Sequence, residues 1–69
     1  MYTGSTIKRL NAQLFKLACE LSFKLNGNAH SGVNADGVCF ITVTTCTDEH
    51  HFEGSYSLVT KSVKARIAN

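Results

Sequence analysis

Two hydrophobic periods divide this chain. In residues 5–25 the apolar positions Ile7, Leu10, Leu14, Leu17, Leu21 and Leu25 recur every three or four residues. That spacing lines one face of an α-helix about five turns long. Ser5 or Thr3 can cap its first turn, because a side-chain oxygen there accepts from an orphan backbone N–H. Asn26-Gly27-Asn28 stops it, with Gly27 suited to the left-handed C-cap position. In residues 37–58 the period shortens to two. Cys39, Ile41 and Val43 share one face of a strand, and Val38, Phe40, Thr42 and Thr44 share the other. After a Thr47-Asp48-Glu49 turn the alternation resumes through His50, Phe52, Gly54, Tyr56 and Leu58, with Phe52, Tyr56 and Leu58 on the core side. This stretch is predicted to be one β-hairpin, and its β-branched first strand favours that reading.

The segment between, GNAHSGVNADG, is rich in Gly and Asn and reads as loop. Asn34-Ala35-Asp36-Gly37 can also turn a short strand near Ala29–Val33 into the next one, giving three strands instead of two. Val59, Val63 and Ile67 favour a short C-terminal helix, although a strand also places them on one side. The predicted fold is therefore α+β: a long N-terminal helix packed on a small antiparallel sheet of two or three strands, with a short C-terminal helix. All 69 residues form a single small domain.

Composition narrows the functional classes. A chain this short buries only about 60% of the surface it exposes when unfolded, so its core is thin. Such domains usually need disulfides, a metal or a partner chain. Three cysteines, Cys19, Cys39 and Cys46, are too few and odd in number for a secreted disulfide scaffold. Lys8, Arg9, Asn11 and Gln13 interrupt the first apolar run, so no secretory signal segment is expected. No apolar run is long enough to span a membrane. These features point to a cytoplasmic protein with reduced thiols, in which association into a homodimer would enlarge the core.

Charge is segregated. Residues 1–27 carry Lys8, Arg9, Lys16 and Lys24 against Glu20, a net of +3. Residues 28–57 carry Asp36, Asp48, Glu49 and Glu53 with no Lys or Arg, a net of −4. Residues 58–69 add Lys61, Lys64 and Arg66, a net of +3. Lys16, Glu20 and Lys24 have the spacing of an ion-pair ladder on the polar side of the first helix.

No catalytic or cofactor signature stands out. Cys39, Cys46, His50 and His51 fall close together, but an odd separation turns the two cysteines to opposite strand faces and adjacent histidines diverge. No metal site and no cofactor are expected. His51 and Glu53 share a strand face and have the types of an acid–base pair. On a ribbon without a cavity, an exposed edge guarded by charge accounts for them better than catalysis. The expectation is a non-enzymatic protein.

Two binding classes remain. A helix–three strands–helix order followed by Lys61 and Lys64, after a strand ending GSYSL, resembles the double-stranded-RNA-binding domain in topology. That resemblance implies a phosphate-facing site at Lys61, Lys64 and Arg66. The family's dense lysine run is not present, and the hairpin is acidic. Protein recognition accounts for more of the chain. Phe15, Cys19 and Phe23 form a second stripe beside the first, so the apolar face of the helix is wider than a small sheet covers. Phe40 lies opposite Ile41 and Val43, where a single-layer sheet exposes it, and exposed aromatics are typical interface anchors. Asp48, Glu49, His50, His51 and Glu53 make an acidic tip suited to a basic surface, such as the nucleic-acid channel of a host protein or protein–nucleic-acid complex. Small size and absence of motifs are shared with phage and mobile-element accessory proteins, anti-CRISPR inhibitors among them. An inhibitor acting by steric and acidic-face contacts is the leading expectation.

Overall fold

The computed structural model describes residues 3–68. Helix α1 spans Gly4–Leu25, strands β1, β2 and β3 span Asn28–Val33, Cys39–Thr44 and Glu49–Gly54, and helix α2 spans Tyr56–Ala68. The sheet is antiparallel in the order β1-β2-β3, so the third strand forms and β2 is central. Both helices cover the same face of the sheet, and its other face is open.

The core forms where the two hydrophobic periods meet. Leu14, Ala18 and Leu21 of α1 pack on Cys39, Ile41 and Val43 of β2, and Val59 and Val63 of α2 close the other side. All eight are essentially inaccessible to solvent. Ala18 replaces part of the expected leucine stripe at its centre, where its small side chain lets helix and sheet approach. Leu17 and Leu25 lie at the margin.

Thr3 caps α1, its hydroxyl accepting from the Thr6 amide at 3.2 Å. The left-handed C-cap residue is Asn26, with φ 58°, and not Gly27. Asn tolerates that conformation through its short polar side chain. Gly27 serves a different need: a Cβ there would lie 2.5 Å from the Thr44 carbonyl oxygen. The absence of a side chain lets the helix end pass close to the end of β2.

The hairpin ends earlier than the period-two pattern predicts. β3 stops at Gly54, and Ser55 caps α2, its hydroxyl accepting from the Leu58 amide at 3.2 Å. Tyr56 and Leu58 therefore belong to a helix. Tyr56 is half-buried against the core and donates to Gln13 of α1, whereas Leu58 is 56% exposed. At the other end of α2, Lys24 donates to the Ile67 carbonyl at 2.5 Å. A cation there complements the helix dipole and occupies a carbonyl with no intrahelical partner. Lys24 thus joins the helices, and the expected Lys16–Glu20–Lys24 ladder does not form. No helix among the described residues is long and apolar enough to cross a membrane.

Candidate functional surfaces

The register of the sheet builds its open face row by row. Asn28, Thr44 and Glu49 form one cross-strand row, His30, Thr42 and His51 the next, and Gly32, Phe40 and Glu53 the third. Side chains in a cross-strand row share a face. None of the nine is a lysine or an arginine, and two of them, Glu49 and Glu53, are acidic.

Phe40 sits on this open face as its alternation predicts, 37% exposed. Its ring reaches across the neighbouring strand at Gly32, where an added Cβ would come within 2.6 Å of the ring. Gly32 thus provides the bed on which the ring lies. Beside it, His51 is held from both sides. Its Nδ1 lies 2.7 Å from the Thr42 hydroxyl, and its Nε2 lies 3.1 Å from Glu53 Oε1. With Nε2–H donating to the carboxylate, Nδ1 accepts from the hydroxyl. Thr42 escapes sequence reasoning because only the register across the hairpin pairs it with His51.

A hydroxyl, imidazole and carboxylate in series have the order of a nucleophile, its base and the group that orients the base. Two features of the surroundings bear on that chemistry. Thr42 lies within the central strand, where ladder bonding to both neighbours engages the backbone, leaving no adjacent pair of free N–H donors for an oxyanion. The imidazole and carboxylate are both about half exposed, so water competes for every contact. The arrangement fixes the direction of two polar side chains on an acidic surface.

The remaining candidates at the hairpin separate. His50 points to the helix side, 3.4 Å from the Arg66 guanidinium, while His51 points to the open side. Asp48 closes the β2–β3 turn, its carbonyl accepting from the Thr45 amide at 2.8 Å and from the Thr45 hydroxyl at 3.1 Å. Glu49 belongs to β3 rather than to the turn. So Glu49, His51, Glu53 and Phe40 form one surface, Asp48 borders it, and His50 lies behind it. Cys39 is buried in the core, where burial pushes its thiol pKa up, and Cys46 is exposed in the turn. Among the described residues, no three His, Cys, Asp or Glu side chains gather closely enough to hold a metal ion.

A second surface lies on the opposite layer. Phe15 is 57% and Phe23 91% exposed. Helical periodicity carries both, with Cys19 between them, onto the side of α1 turned away from the sheet. The wide apolar face therefore divides into an inner stripe that makes the core and an outer one that its own domain does not cover. A third surface runs along the α1–α2 groove, where Lys16 and Glu20 face Lys64, Thr60 and Tyr56. Lys61 is exposed on α2, and Arg66 is turned toward His50.

Comparison with protein-family models, with characterised proteins and with solved structures gave no match.

Proposed function

We propose that this protein is a non-enzymatic binding module that acts by covering a basic surface of a protein or protein–nucleic-acid complex. The observation that carries the reading is the open sheet face, where Glu49 and Glu53 flank a surface that also bears His51 and Phe40 and has no lysine or arginine in its cross-strand rows. An aromatic anchor on a face whose formal charges are of one sign, Glu53 beside it and Glu49 two rows away, combines desolvated contact area with electrostatic steering. A cytoplasmic inhibitor of the phage or mobile-element type, anti-CRISPR-like in acting by steric and acidic contacts, fits this surface and the size of the chain. The test is charge reversal. Glu49→Lys with Glu53→Lys should weaken binding to the captured partner at least tenfold and flatten its salt dependence. Unchanged affinity would remove the electrostatic part of the proposal.

A second reading, nucleic-acid binding through α2, is favoured by the exposed Lys61 and by Lys64 lying across a groove from Lys16. The order of elements also resembles that of the double-stranded-RNA-binding domain. Its signature would be affinity for duplex RNA that falls steeply with salt, as neutralised phosphates release counterions. Lys61→Glu with Lys64→Glu should abolish that binding, and retention would exclude this site.

A further inference from the structure

We propose that the outer face of α1 is a self-association surface, on which a second copy of this chain packs antiparallel with its two-fold axis at Cys19. The proposal rests on the reading that exposed Phe15 and Phe23 are docking residues, and it names their partner. Cys19 lies four residues from Phe15 and four from Phe23 on one helical face. That spacing is its own mirror image. An antiparallel copy crossing at Cys19 sets Phe15 against Phe23 of the second copy, and Phe23 against its Phe15. A two-fold interface must be self-complementary in this way. A parallel copy in register would instead stack each residue on itself.

The charges beside the stripe agree with the antiparallel arrangement. Lys16 and Glu20 are exposed between this stripe and the α1–α2 groove they line, and among the described residues neither is held in an ion pair. Antiparallel packing brings the same edges together. With a rise of about 1.5 Å per residue, Lys16 then lies within roughly 3 Å, measured along the axis, of Glu20 of the second copy. The order along the edge is lysine, glutamate, glutamate, lysine, with no net charge. Parallel packing would bring opposite edges together and set Lys16 and Glu20 against the uncharged edge, leaving them without a partner of opposite charge. On the other edge Asn11 and Ser22 carry no charge.

The area sets the strength. Taking about 200 Å² for a phenylalanine, the exposed parts of the four rings in such a pair amount to roughly 600 Å². A stable interface buries about 1,200 Å² or more in total. Ala12, Cys19 and the lysine stems would have to supply the rest, so the dimer would be weak and reversible.

Cys19 makes the geometry testable, because two thiols at a two-fold axis form a disulfide when a thiol oxidant such as diamide accepts their two electrons and two protons. Cys46 is also exposed, so Cys46→Ser is the background. The full chain would be examined by sedimentation and by diamide cross-linking. The expected result is a monomer–dimer equilibrium and a diamide-linked dimer lost in Cys19→Ser. Phe23→Ala should raise the dimer dissociation constant at least tenfold. Lys16→Glu alone should weaken the dimer, and Lys16→Glu with Glu20→Lys should restore it. A monomer at high micromolar concentration would overturn the proposal while leaving the acidic-face reading standing. A dimer that Cys19 does not link, and that Phe23→Ala does not weaken, would overturn it by placing the interface elsewhere.

Discussion

Replacing Phe23 with serine should leave the fold intact, although a large aromatic is removed from a chain with a thin core. At 91% exposure, the ring buries only about 20 Å² in its own domain, taking about 200 Å² for the whole side chain. At about 25 cal/mol per Å² that is roughly 0.5 kcal/mol. Phe and Ser have similar helix propensities, so the backbone adds little. Leu21, two residues earlier, is fully buried, and Leu21→Ala should cost about 2–5 kcal/mol through lost transfer energy and the cavity left behind. For a domain of this size total stability is roughly 3–10 kcal/mol, so the leucine change can unfold it and the phenylalanine change cannot. Urea denaturation followed by circular dichroism, at a concentration where the protein is monomeric, separates the two. A loss of about 2 kcal/mol or more for Phe23→Ser would mean that the ring belongs to the core, and the division of α1 into inner and outer stripes would be wrong.

Other consequences follow from single contacts. Gly27→Ala should destabilise by about 1–3 kcal/mol, because its Cβ would meet a backbone carbonyl that cannot move aside; an unchanged melting temperature would contradict the close approach of the α1 end to β2. Gly54→Ala should also destabilise, because Gly54 has φ 148° and a Cβ would come within 2.7 Å of Leu58 Cδ2; thermal melting checks it. Cys19 and Cys46 should react with a thiol reagent at once, and Cys39 only on unfolding; three thiols reacting together would refute its burial. Burial raises the Cys39 pKa above the usual 9.0, so the folded state holds this proton more tightly than the unfolded state. Its contribution to stability is complete below the unfolded pKa and lost as pH rises toward the folded one. Stability measured by urea titration should therefore decline on the alkaline side of that value, and a flat profile there would contradict the assignment.

Much of the fold is legible where one period persists. The leucines of α1 and the alternation of Cys39, Ile41 and Val43 each match an observed element, and Asn34–Gly37 turns β1 into β2 as its composition allows. The misreadings have local causes. Phe52, Gly54, Tyr56 and Leu58 keep a two-residue period across a boundary where β3 has already become α2, and the signal that ends it is the Ser55 cap. Asn26 and Gly27 both suit a left-handed turn, and the approach of Thr44 assigns glycine to the position that needs space. Lys24 left its expected ladder for a carbonyl of α2, a contact between residues far apart in sequence. The same limit applies to the surfaces. Phe40 and the divergence of His50 from His51 follow from alternation alone. Pairing Thr42 with His51, and laying Phe40 over Gly32, require the register of strands whose turns no local pattern dictates.

The central claim is that a protein surface, and not nucleic acid, is what this domain occupies through its acidic sheet face. The direct measurement is capture from bacterial lysate by the tagged protein, with and without nuclease, beside the Glu49→Lys, Glu53→Lys variant. The account predicts one stoichiometric protein that survives nuclease and is lost with the charge reversal. Capture that vanishes with nuclease and is indifferent to those two glutamates would contradict it and move the site to Lys61 and Lys64.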